Sequence, residues 1–156
     1  GTYDFSQTFR RAINNANQNN HLLIAAAGNN GLDIDQTPFY PAAFDLDNII
    51  SVAASNKNNQ LAFFSNYGDT SVDILAPGTT IYSTLPNAGY GLLSGTTMSA
   101  PLVTGILSLG ISASSTTTIT QLKESIIASA DSNDIINAHS FLSILTEPLC
   151  KVFKFK

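Results

Sequence analysis

Cysteine is almost absent from this 156-residue chain, and the single Cys150 excludes an internal disulfide, so oxidised staples contribute nothing to the fold. With no histidine or second cysteine beside it, Cys150 reads as an ordinary thiol in a tail. Charge is also scarce: 12% of residues are charged against 44% hydrophobic, which excludes a disordered chain and indicates a globular domain with a real core. Positive charge is scarcest, with 7 Lys and Arg against 11 Asp and Glu and a net charge of -4. A nucleic-acid partner is therefore not expected, because displacing phosphate counterions needs a basic face. Long apolar runs are missing as well. The longest, residues 102–111, is interrupted by Thr104, Gly105, Ser108 and Gly110. It falls short of the roughly 18 to 20 residues of a membrane-spanning helix, so no span is expected. The chain opens at Gly1 with no charged-then-apolar leader, so no signal peptide is visible and the native start is expected to lie upstream. No internal repeat and no linker divides it.

What is present is strongly patterned. Phe5, Phe9, Ala12, Ile13 and Ala16 recur at helical spacing over residues 4–19, with Asp4 as the expected cap. The apolar runs at residues 21–27, 48–54 and 72–75 each stop at glycine, proline or polar residues, as strands buried on both faces do. Residues 79–85 read as a short strand or hairpin arm closed by Pro86-Asn87-Ala88-Gly89. After Gly95 the pattern becomes helical, and Met98, Leu102, Val103, Ile106, Leu107 and Leu109 predict a helix buried in the middle of the fold. Further helices are predicted at residues 118–130 and 137–145. The closing Lys, Phe and Val alternation at residues 150–156 reads as an edge strand or loose tail, against a contact surface for another chain. The expected fold class is α/β, a mostly parallel sheet with helices on both faces.

Three segments carry chemistry. Ala25-Ala-Ala-Gly-Asn-Asn-Gly31 ends a strand in a turn whose Asn29 is either a turn residue tolerant of left-handed backbone or an amide donor to a forming oxyanion. Phe39-Tyr-Pro-Ala42 leads into the second strand, followed by Phe63-Phe-Ser-Asn66 and Val72-Asp-Ile-Leu-Ala-Pro-Gly78. In Leu93-Ser-Gly-Thr-Thr-Met-Ser-Ala-Pro101, a hydroxyl residue sits at a strand-to-helix turn, where backbone donors and the helix dipole favour negative charge. In this order the segments resemble the C-terminal part of the subtilisin-like (subtilase, peptidase family S8) serine peptidase domain. The resemblance covers roughly residues 5 to 145, and the domain is expected at residues 1–146 with a tail at 147–156.

That resemblance implies an oxyanion role for Asn29. It also implies a primary specificity pocket lined by Ala25, Ala26, Ala27 and Gly28, with Tyr40 at its rim. Family motifs run Gly-Thr-Ser-Met-Ala-Ala/Ser-Pro, and the ungapped register from Gly95 to Pro101 puts Thr97 in the serine's place. Ser99 is no substitute, since two helical residues rotate a side chain by about 200° to the opposite face. Thr97 keeps a hydroxyl, but its additional methyl stiffens the first torsion where the substrate carbonyl must approach, so impaired or absent activity is expected.

The family's His-Gly-Thr and Asp-Ser/Thr-Gly motifs do not occur; His21 and His139 read as structural or surface residues, and Asp69-Thr70-Ser71, just before the strand at residues 72–75, reads as a turn. A base and carboxylate must then come from the missing N-terminal part of the domain or from a partner chain. Some relatives bind a cation near the Tyr-Pro loop, where Asp45 and Asp47 stand, but two loop carboxylates are too few oxygens and no metal or other cofactor is expected. Two functions remain in view: hydrolysis of a peptide or protein substrate, and a non-catalytic scaffold that binds peptide or protein partners. A nucleotide-binding turn at Gly28 to Gly31 is a weaker third, since the second glycine of that fingerprint is lacking. By analogy with the family, the protein is expected to be secreted or extracytoplasmic.

Overall fold

The computed structural model describes residues 1–113 and 118–130 and the short strand Phe153–Lys154. Helix α1, Gln7–Gln18, is capped by Ser6, whose hydroxyl accepts from the Phe9 amide at 3.2 Å. The cap expected at Asp4 is thus two residues early: Ser6 stands three residues before a free first-turn amide, the reach a capping side chain needs. Strands β1 (Leu23–Ala26), β2 (Ile49–Ser55) and β3 (Ile74–Pro77) follow. They pair in parallel, with Ile24 opposite Ile50 and Val52 opposite Ile74. The hairpin of β4 (Ile81–Leu85) and β5 (Gly89–Leu93) leads into α2 (Thr96–Ala113), and α3 (Ile119–Ser129) opens with a reciprocal capping box between Thr118 and Gln121. Strand β6, Phe153–Lys154, runs antiparallel on the free side of β3, so the order is β1-β2-β3-β6. The helix expected at residues 137–145, Cys150, and most of the expected tail lie outside the described residues.

The parallel strands divide their side chains between two cores. Ile49, Ala53 and Leu75 pack with Ile13 of α1 and the loop residues Ile34, Ala42 and Phe44. On the opposite face Ile50, Val52, Ile74 and Ala76 pack with Val103 and Leu107 of α2 and with Leu122 and Ile126 of α3. This two-sided cover explains why the strand sequences read as continuous apolar runs instead of alternating. All seven residues of β2 are buried.

Helix α2 departs from the expectation of burial all round. It is long and apolar enough, by length and composition, to cross a membrane, with a mean hydropathy of 1.3 over its 18 residues. It packs along β1, β2 and β3, which makes it a core helix of the sheet. Yet only Thr96, Ser99, Val103 and Leu107 are buried, and Leu109 and Ile111 stay 52% and 54% exposed. The sheet, with α3 beside it, covers one side of α2, and the side that carries Leu109 and Ile111 stays open among the described residues.

Candidate active site

The parallel strands point their C-terminal ends at one edge of the sheet, and the chemistry-bearing residues collect there. Strand β1 runs out through Ala27, whose amide donates to the Val52 carbonyl, into Gly28 at φ +104. Asn29 follows, with an exposed side chain. Gly78 follows β3, and its carbonyl accepts the Gly95 amide at 2.8 Å, which places the start of α2 beside the end of β3.

Thr96, fully buried, makes the junction. Its amide and hydroxyl both donate to Asn29 Oδ1, at 2.8 and 2.9 Å, while its hydroxyl accepts the Gly28 amide at 3.1 Å. Because the Thr96 amide can only donate, the Asn29 carboxamide must turn its oxygen inward, which frees Nδ2. Nδ2 has no partner among the described residues. A methyl group added at Gly95 would lie 2.8 Å from Thr97 Oγ1 and 3.3 Å from Asn29 Nδ2. The hydroxyl and the amide donor thus converge on Gly95, and a side chain there would crowd both. The Thr97 amide, in the first turn of α2, also has no acceptor among the described residues, as expected of a helix N-terminus.

Thr97 is exposed, and Ser99 is fully buried with its hydroxyl donating to the Ala76 and Pro77 carbonyls at 2.9 and 3.2 Å. The two residues therefore face opposite ways, as the helical rotation requires. Pro101 lacks the amide that would close a bond to the Thr97 carbonyl, so the first turn of α2 is tied to β3 by Ser99.

The turn after β1 is held from outside. Asn66, fully buried, donates from Nδ2 to the Ala27 carbonyl at 2.9 Å, and its Oδ1 accepts the Asn30 and Leu32 amides at 3.0 and 3.1 Å. Its own amide donates to the Gly28 carbonyl at 2.9 Å, and Gly31 donates to the Phe64 carbonyl at 2.8 Å. With these amides satisfied and no helix following β1, the Gly28 to Gly31 turn is no phosphate cradle, which removes the nucleotide-binding reading.

Of the expected pocket residues, Ala25 and Ala27 turn their side chains into the core beneath α1, while Ala26 is half-buried. Tyr40, joined to Pro41 by a cis peptide, packs its ring on Phe44 with centroids 4.5 Å apart; the neighbouring Phe39 is the residue that reaches Gly28. His21 sits before β1, at the far end of that strand from Asn29, and His139 lies outside the described residues. Asp69 lies on the N-terminal side of β3, also away from Thr97. Asp45 and Asp47 are exposed, and no group of three or more His, Cys, Asp or Glu side chains converges among the described residues.

Sequence reading missed Thr96, Asn66 and Asp35 as organisers. Asp35 accepts the Thr70 and Ser71 amides at 2.9 and 2.8 Å, fastening the loop after β1 to the loop before β3. Burial works against its charge, but the hydrogen bonds from Ser71 and Thr70 outweigh it and hold the carboxyl below the ordinary aspartate range. The stretch Phe63-Phe-Ser-Asn66 was visible, but nothing local in it signals a partner some 35 residues earlier.

The sequence matches the subtilase family over residues 1–142. It is 50% identical over 88 residues to subtilisin-like protease 2 of Plasmodium falciparum, covering 56% of this chain and 7% of that one. It is 42% identical over 100 residues to thermitase of Thermoactinomyces vulgaris, covering 64% and 34%. The structure superposes on a cold-adapted subtilisin-like serine proteinase with a TM-score of 0.76 at 29% identity, covering 86% of this chain and 47% of the other. A protease of Pseudoalteromonas arctica shares the fold with a TM-score of 0.80 at 24% identity, over 94% of this chain and 49% of its own. The chain thus spans about half of these solved structures and a third or less of the two curated relatives. With this fold and this turn, the chain belongs to the subtilase family of subtilisin-like serine peptidases.

Proposed function

We propose that this chain supplies the nucleophile and oxyanion side of a peptidase that hydrolyses peptide bonds by acyl transfer. The observation that carries the reading is that the Thr97 hydroxyl and the Asn29 amide both lie close to Gly95, 2.8 and 3.3 Å from where a Cβ would stand, a convergence that only a glycine permits. A substrate carbonyl carbon placed against Thr97 Oγ1 would put its developing oxyanion between the Asn29 amide and the Thr97 backbone N–H. One such donor contributes ~3 kcal/mol to the transition state. In this reading Ala26 and Gly28, with only the backbone of Ala25 and Ala27, form one wall of the primary specificity pocket, and Tyr40 stands at its rim. The base that takes the Thr97 proton, and the carboxylate that orients it, come from the other half of the domain, carried upstream or on a partner chain. The face of α2 and the edge of β1 that stay open among the described residues are where that half would dock.

The methyl of Thr97 favours a second reading, a scaffold that binds peptides without cutting them. An internal threonine has no terminal amine of its own to act as base, and misplacing the oxygen by about 1 Å costs on the order of a hundredfold in rate. The test is peptide cleavage by the full-length protein and its Thr97→Ser and Thr97→Ala forms. Cleavage that rises with serine and disappears with alanine supports the enzyme; no cleavage even with serine leaves the scaffold.

A further inference from the structure

We infer that Asn66 is a positioning residue for the oxyanion corner, acting through Asn29; this rests on the proposed role of Asn29. Asn29 is exposed, and its only anchor among the described residues is Thr96. The aim of its amide therefore depends on the course of the backbone from Ala27 to Leu32. Asn66 fixes that course at four points: the Ala27 and Gly28 carbonyls and the Asn30 and Leu32 amides. The two bonded amides bracket Asn29 on its C-terminal side and the two carbonyls on its N-terminal side, so the turn cannot roll about Asn29 without breaking one of them.

The carboxamide is the side chain that suits this task, because it presents one acceptor and one donor in a fixed plane. Aspartate keeps the acceptor but sets a carboxylate oxygen against the Ala27 carbonyl. Alanine removes both. The fit is close enough to dictate its neighbour: a methyl group at Gly28 would overlap Asn66 Nδ2. Asn66 itself is wholly buried and does not reach Thr97 or Gly95, so its influence on catalysis passes through the turn.

Two measurements on the full-length protein decide the matter. The first is amide hydrogen exchange in Asn66→Ala and Asn66→Asp. Thr96 does not touch Asn66, but its amide is protected by Asn29 Oδ1, so it reports the aim of Asn29. Exchange at Thr96 is expected to accelerate about tenfold or more in at least Asn66→Asp, with the β2 amides unchanged. Unchanged protection at Thr96 while Asn30 and Leu32 accelerate overturns the inference, as does acceleration across β2 in both variants. The second is a kinetic cycle in the Thr97→Ser background. If Asn66 acts through Asn29, the Asn66→Asp and Asn29→Ala double form loses no more kcat than Asn29→Ala alone, with KM little moved. Additive losses overturn it. If the Thr97→Ser protein does not cleave peptides, the peptidase reading fails on its own, and exchange at Thr96 still decides the role of Asn66.

Discussion

Gly28 has to be glycine for two independent reasons. Its φ of +104 lies where other residues are strained, and the space a side chain would fill holds the Asn66 amide. Gly28→Ala is expected to lower stability by roughly 2–4 kcal/mol, adding backbone strain to overpacking, as denaturant titration would show. Asp35 sets a pH limit. Its carboxyl is held below the ordinary range in the folded chain, so the stability it adds is complete above about pH 4 and is lost as pH falls through its folded value. Unfolding midpoints measured down the acid limb should fall less steeply in Asp35→Asn. At this scale the sequence was partly legible. The opposed facing of Thr97 and Ser99 follows from helix geometry and register. Asn66 and Asp35 were not, because each acts on amides more than 30 residues distant, and no spacing rule reports a loop-to-loop hydrogen bond.

Helix α2 shows what hydropathy can and cannot say about an element. Its apolar composition places it against the sheet, and Val103 and Leu107 are buried there. Composition does not say what covers the remaining side, so burial all round was the natural expectation and half of it is met. Leu109→Lys is predicted to change the stability of the 1–156 chain by no more than about 0.5 kcal/mol. In the full-length protein, where the N-terminal half of the domain is expected to pack on that face, the same change should cost on the order of 2 kcal/mol. Equal effects in the two contexts would argue against docking there. Ser99→Ala should cost about 1 kcal/mol, from the lost bonds to Ala76 and Pro77, while any cleavage by the full-length protein persists. The parallel strands were legible because burial on two faces leaves continuous apolar runs, which is the pattern at residues 48–54.

Taken whole, the described molecule has an open side. Among the described residues β1 ends the sheet with one row of backbone donors and acceptors unpaired, and the exposed Leu109 and Ile111 of α2 add apolar area. The 1–156 chain alone is expected to self-associate and to bind an apolar dye, whereas the full-length protein should do neither; size-exclusion chromatography and dye fluorescence would compare them.

The bonds from Thr96 to Asn29 and Gly28 join residues 67 and 68 positions apart. Closing a loop of that length carries an entropic cost of roughly 4 kcal/mol beyond the fixed term, which only an assembled sheet can offset. On a ribosome, a chain that has not yet emerged past residue 96 has an asparagine and no hydroxyl to set beside it. The corner therefore cannot form before the sheet between its two halves does, so any capacity to cut peptides would arise only once this region is no longer an unfolded substrate itself.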